Sequence, residues 1–163
     1  MTILIVPTAQ MYFDGLWHAL DAVARERRFL AFTAAPPTAQ AYAFFNEIVE
    51  HDRCQFVALK DGAVIGWCDI LPVFGDARAH VGVFGIGVVV TARHCGVGKQ
   101  LMEHALRKAR EKGFVRIELT VRADNGNAIA LYERFGFVHE GQNKKAFYIE
   151  GEFYDTLTMA LVQ

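Results

Sequence analysis

No apolar run in this sequence reaches the ~18 residues that a membrane-spanning helix needs. The opening stretch Met1-Thr2-Ile3-Leu4-Ile5-Val6-Pro7 lacks a basic n-region and its apolar part is short, so it reads as an edge strand rather than a signal peptide. Cysteine is scarce: Cys54, Cys68 and Cys95 are three in number, far apart, and form no Cys-x-x-Cys pair. That excludes a disulfide framework or a zinc site and points to a reducing, cytoplasmic setting. Charge of one sign is also missing. The formal net charge is −1, so no global field recruits nucleic acid. The basic trio Arg25, Arg27 and Arg28 reads as a solvated helix end. Internal repeats, low-complexity tracts and linkers are absent as well.

What is present is an ordinary globular composition, 53% hydrophobic and 21% charged over 163 residues. That length suits one domain, 1–163, with a substantial core. Met11, Leu16, Leu20, Val23 and Ala24 follow a helical stripe. Pro36-Pro37 breaks the chain, and Thr38 is placed to cap a second helix running to about Asp52. Residues 55–60 and 63–71 read as strands joined by Asp61-Gly62, a two-residue hairpin signal. Residues 79–90 read as a long central strand, followed by a helix from Val97 to Lys112 that Gly113 stops. Arg116 to Val121 alternates as a half-covered strand should. Asn125 caps a short helix ending at Gly136, and residues 137–148 and 152–162 form a last hairpin around Glu150-Gly151. The order β-α-α-β-β-β-α-β-α-β-β predicts a three-layer α/β arrangement around a mixed sheet.

The segment Arg93-His94-Cys95-Gly96-Val97-Gly98-Lys99 sits between the central strand and its helix. Gly96 and Gly98 have no Cβ and let backbone approach a bulky anion. The free N–H groups and the dipole of the helix start favour negative charge there, and Arg93 and Lys99 can add their own. Plain turn chemistry is the competing reading. The spacing is neither a Walker loop nor a dinucleotide fingerprint.

A second segment decides between them: Asn125-Gly126-Asn127-Ala128-Ile129-Ala130-Leu131-Tyr132-Glu133-Arg134-Phe135-Gly136-Phe137. Arg-x-x-Gly-x-Gly after a strand, then Asn-x-x-Ala-Ile-x-Leu-Tyr-x-x-x-Gly-Phe, resembles the GNAT superfamily of acetyl-CoA-dependent N-acetyltransferases. The ending Glu140-Gly141-x-x-Lys144-Lys145, Gly151-Glu152-Phe153-Tyr154-Asp155 and Met159 is similar to the branch acetylating amino acids, polyamines or protein N-termini. The resemblance implies the acyl-CoA N-acyltransferase fold, three-layer α/β/α with a splayed central sheet. It also implies acetyl-CoA as co-substrate and no metal.

By position, the resemblance puts the backbone of Ile86, Gly87 and Val88 on pantetheine and the thioester, and His94 to Lys99 on the pyrophosphate. Tyr132 falls where the superfamily's general-acid tyrosine protonates the departing thiolate; core packing is its other reading. It lies two helical turns after Asn125, which is an N-cap, a CoA contact or both. Several branches carry a basic glutamate on the central strand, where this chain has Gly82. His80, two residues earlier, is the candidate base acting through a water, with Glu118 as another nearby carboxylate.

A weak base constrains the acceptor. At pH 7, deprotonating a lysine-like amine costs about 4.6 kcal/mol, against about 1.1 kcal/mol for an α-amine. The expected acceptor is therefore the primary amine of a small molecule, an L-amino acid or close mimic, with Arg28, Lys144 or Lys145 suited to its carboxylate. A protein N-terminus is the alternative within the class, and a non-catalytic acyl-CoA sensor the alternative outside it. An exposed strand edge near the last hairpin would suit a homodimer.

Overall fold

The computed structural model describes residues 2–163. The elements follow the expected order: β1 (Ile3–Pro7), α1 (Phe13–Arg25), α2 (Thr38–Glu50), β2 (Cys54–Lys60), β3 (Ala63–Pro72), β4 (Val81–Val88), α3 (Val97–Glu111), β5 (Arg116–Arg122), α4 (Gly126–Arg134), β6 (Val138–Ile149) and β7 (Glu152–Val162). All seven strands form one sheet in the order β1-β2-β3-β4-β5-β7-β6, so β1 is an edge strand as expected and β6 is the other edge. Every neighbouring pair is antiparallel except β4 and β5.

Helices cover both faces. On one side α3 buries Val97, Leu101, Met102, Ala105, Leu106 and Ala109, a 3.6-residue stripe, against Cys68, Ile70, Phe84 and Ile117. The short α4 joins this cluster through Leu131 and Tyr132. On the other side α1 and α2 pack Phe13, Leu16, Val23 and Phe45 on Val57, Leu59 and Trp67. The result is the three-layer α/β/α arrangement around a mixed sheet.

Local signals act where expected. Asp61 and Gly62 both have positive φ (51° and 81°), the pair of left-handed residues that a tight hairpin of this hand requires. Gly113 ends α3 at φ 88°. Asn125 caps α4, its side chain accepting the Ala128 N–H at 3.3 Å. Thr38 differs: it is the first residue of α2, Pro37 holds the cap position, and no side chain caps that end. The central strand is also shorter than the apolar run suggested. Residues 79–80 form a turn and Val90–Ala92 a 3-10 turn. No helix among the described residues is long and apolar enough to cross a membrane.

Candidate active site

The parallel pair at the centre of the sheet comes apart. β4 and β5 pair only at Val81–Arg116, Gly82–Ile117 and Val83–Glu118. Beyond that point β4 stays on β3 as far as Val88 opposite Gly66. β5 stays on β7 as far as Arg122 opposite Thr156. A wedge therefore opens between residues 84–88 and 119–122, and the β5-facing edge of β4 is left without a strand partner. Backbone N–H and C=O groups must be satisfied somewhere. This edge offers them to a bound molecule.

The wedge leads to the N-terminus of α3. Backbone N–H groups of residues 94–99 have no acceptor among the described residues, and the helix end has no side-chain cap. The turn entering α3 holds two consecutive-but-one residues in the left-handed region, His94 (φ 60°) and Gly96 (φ 79°). A non-glycine residue there is strained, and such strain clusters at ligand sites. His94, Cys95, Gly96 and Lys99 are exposed, whereas Val97 is buried in the core. Nothing lies within 4 Å of where a Gly96 Cβ would be. The two glycines thus divide the work. Gly96 supplies the conformation, while Gly98, inside the helix, allows close packing: its Cβ would sit 3.3 Å from Leu131 and 3.9 Å from Ile86.

Arg93 behaves differently from the expectation that its charge serves an anion. Its Nε donates to the Val88 carbonyl (2.9 Å), its two terminal nitrogens grip both oxygens of Glu26, and its guanidinium lies 4.7 Å from the Phe29 ring centre. Its charge is spent holding the end of α1 against the end of β4. Lys99 remains the cation beside the turn.

Tyr132 is 6% exposed and packs edge-on against Phe84, with ring centres 5.5 Å apart, and against Phe137 at 6.0 Å. Its hydroxyl has no hydrogen-bond partner among the described residues. Burial pushes the phenol well above its usual range, so it keeps its proton at neutral pH. The helix that carries it is the one Asn125 caps.

His80 does not join this site. It is exposed in the turn before β4, and its carbonyl receives the Val115 and Arg116 N–H groups at the closed end of the wedge. It lies six positions before Ile86, roughly 20 Å at ~3.3 Å per residue. A longer residue at Gly82 would force Ile70 to shift, since its Cβ would fall 2.5 Å from the Ile70 Cγ2. Glu118 is held by Arg78 and Arg116, which keep its carboxyl below the usual range despite opposing burial.

On the face covered by α1 and α2, the wedge is bordered by Gly85 and Gly87 of β4 and by Thr120 and Arg122 of β5. Arg122 is buried, stacks 3.7 Å above the Tyr154 ring centre and is held by Asp124. Arg28 is exposed in the loop after α1 and acts electrostatically on Asp124 across the open end. Arg27 pairs with Glu150 in the β6–β7 turn. Lys144 is exposed, and Lys145 lies over Phe153. Sequence reading passed over Asp69, although a carboxylate inside the apolar run Trp67-Cys68-Asp69-Ile70-Leu71 was a visible signal. Among the described residues no cluster of side chains could hold a metal ion.

The fold as a whole is that of solved acetyltransferases. The model of the acetyltransferase (GNAT) family matches residues 17–137, and the chain belongs to that family. It is 39% identical over 110 residues to the L-amino acid N-acetyltransferase AaaT of Escherichia coli K12, covering 67% of this chain and 68% of that protein. It is 36% identical over 80 residues to the [ribosomal protein bS18]-alanine N-acetyltransferase of Salmonella typhimurium LT2, covering 48% and 53% of the two. The crystal structure of a GNAT-family acetyltransferase from Streptococcus pneumoniae superposes with a TM-score of 0.92 at 26% identity, over 99% of this chain and 100% of that one. The protein is a GNAT acetyltransferase.

Proposed function

We propose that the enzyme moves the acetyl group of acetyl-CoA directly to the primary amine of a small molecule, an L-amino acid or close mimic, in the cytoplasm. The observation that carries the donor half is the edge of β4 left without a strand partner, leading to the α3 turn whose N–H groups at 94–99 have no acceptor among the described residues. Ile86, Gly87 and Val88 would hold pantetheine and the thioester carbonyl. The N–H groups of residues 94–99 would hold the pyrophosphate with Lys99 beside them. The turn fits the group because its N–H groups lack partners among the described residues and because the space around Gly96 is open. Bound acetyl-CoA supplies an activated acyl group. Tyr132 then donates its proton to the thiolate as the C–S bond breaks, and its packing on Phe84 and Phe137 keeps the phenol protonated until then.

The acceptor half rests on the opposite face. Gly85, Gly87 and Thr120 border the wedge there, Arg28 has no ion-pair partner among the described residues, and the AaaT relative is named for L-amino acids. A carboxylate one bond from an α-amine suits such a cation. The bS18-alanine relative supports the second reading, a protein N-terminus, which presents the same α-amine without that carboxylate.

Thiol release from acetyl-CoA, measured against free L-amino acids, amino-acid amides and alanine-initiated peptides, tests the proposal. Turnover of free amino acids with loss on amidation is expected. Turnover of peptides alone would replace it with the second reading, and binding of acetyl-CoA without turnover of any amine would sink both.

A further inference from the structure

We infer that Asp69 is the group that takes the proton from the acceptor's ammonium, reaching the wedge across Gly85. This deepens the acetyl-transfer reading above and rests on it.

Three strands and Thr8, the residue just after β1, cooperate in placing this carboxylate. In register, Gln55 of β2 faces Asp69 of β3, and Asp69 faces Gly85 of β4, which borders the wedge. The Thr8 hydroxyl donates to Gln55 Oε1 at 2.8 Å, turning the amide so that Nε2 donates to Asp69 Oδ2 at 3.0 Å. Thr8 and Gln55 are both buried. Asp69 Oδ1 makes no hydrogen bond among the described residues, and it lies 3.1 Å from where a Gly85 Cβ would be. Any side chain at position 85 would crowd it. One oxygen is therefore anchored and the other is idle, aimed over a position that glycine keeps clear. Anchoring Gln55 alone would need only one oxygen.

The face is the right one. Asp69 shares the parity of Trp67, so it lies on the α1/α2 side, where the acceptor enters, opposite Tyr132 on the α3/α4 side. Burial raises its carboxyl to about 6 and the Gln55 amide opposes that rise. The neighbouring titratable groups are the thiols of Cys54 and Cys68, both pushed up by burial and neutral; no charged side chain acts on Asp69. A carboxylate titrating near the working pH is a better base than an ordinary aspartate.

The proton balance closes. The ammonium R–NH₃⁺ gives one proton to Asp69, directly or through one water, leaving R–NH₂. Its lone pair forms the C–N bond to the thioester carbon. As the C–S bond breaks, the electron pair leaves on sulfur, which receives the Tyr132 proton. The new amide nitrogen sheds its extra proton, which restores Tyr132, and Asp69 returns its proton to solvent.

The test compares wild type with Asp69→Asn and Gln55→Met, using whichever primary amine wild type acetylates fastest. The acceptor panel thus judges the substrate reading and the variants judge this one. Asp69→Asn is expected to lower kcat/KM for the amine by about 100-fold or more at pH 7.5, with the KM for acetyl-CoA unchanged. The wild-type profile should carry an acidic limb near the Asp69 value, distinct from the amine's own limb and missing in Asp69→Asn. Gln55→Met removes the bond that opposes the rise, so its limb should move to higher pH. Wild-type rates in Asp69→Asn, or a limb indifferent to Gln55→Met, would overturn the assignment.

Discussion

Trp67 lies over the bare backbone of Gly87. A Cβ on that glycine would fall inside the indole, 2.5 Å from Cζ2 and 2.6 Å from Cζ3. Trp67 belongs to β3 and Gly87 to β4, directly opposite in register, and the ring is 5% exposed. Two positions along, Asp69 stands in the same relation to Gly85. The glycines of β4 are thus not loose points in a strand. They let β3 side chains lie across β4 and form the floor of the wedge, and they explain why the central strand of this enzyme carries so little side chain of its own.

Gly87→Ala should therefore be costly although it adds one methyl group. The indole must move or β4 must shift from β3, and overpacking of this kind typically costs about 1–3 kcal/mol. Urea unfolding should show a lower midpoint with the same m-value, and the KM for the amine should rise as the floor is displaced. An unchanged midpoint would mean that the ring has an easy second position.

Asp69 makes a prediction about stability with an unusual sign. Its carboxyl titrates at about 6 when folded against 3.8 in its unperturbed state. Below both values the native and unfolded states are protonated alike, and the group contributes nothing. As pH rises from about 4 to about 6, the unfolded chain releases this proton first, so native stability is lost; above that window the penalty is constant. Asp69→Asn keeps an acceptor for Gln55 and removes the penalty. The variant should be more stable than wild type at pH 8, by up to roughly 3 kcal/mol, and the two should converge as pH falls toward 4. Thermal unfolding at several pH values decides it. A less stable Asp69→Asn at pH 8 would show that the carboxylate is there for structure, and a gain in stability paired with a loss of activity is what a working base predicts.

The same residues show what sequence could and could not reveal. The α3 turn and the α4 cap are each local: Gly96 takes up its left-handed turn and Asn125 its cap as expected, because caps and left-handed turns are set within a few residues, whereas Gly98 packs against Leu131 rather than facing the turn. Edge strand β1 and the Asp61-Gly62 hairpin were legible for the same reason. The wedge partners were not. Arg93 meets Glu26 across 67 residues, and Gln55 meets Asp69 through strand register. No period in the sequence encodes either pairing. His80 looked adjacent to the chemistry because it shares a strand run with Ile86, but distance along an extended strand grows quickly, and the turn at 79–80 ends the strand before it.

Tyr132, the proposed general acid, offers the sharpest separation of packing from chemistry. Its ring fills the space between Phe84 and Phe137, and Tyr132→Phe keeps that ring. What disappears is a hydroxyl with no protein partner, and removing a hydroxyl that makes no hydrogen bond to the protein costs little. Thermal stability should hold, and acetyl-CoA should raise the melting temperature as much as in wild type, since the proton is needed only as the C–S bond breaks. The loss should appear in kcat. General acids contribute about 10²–10⁴-fold; a thiolate is already a fair leaving group, so a drop near 100-fold is expected. Single-turnover rates, which isolate the chemical step from product release, are the measurement to make. A wild-type single-turnover rate in Tyr132→Phe would return this residue to the core.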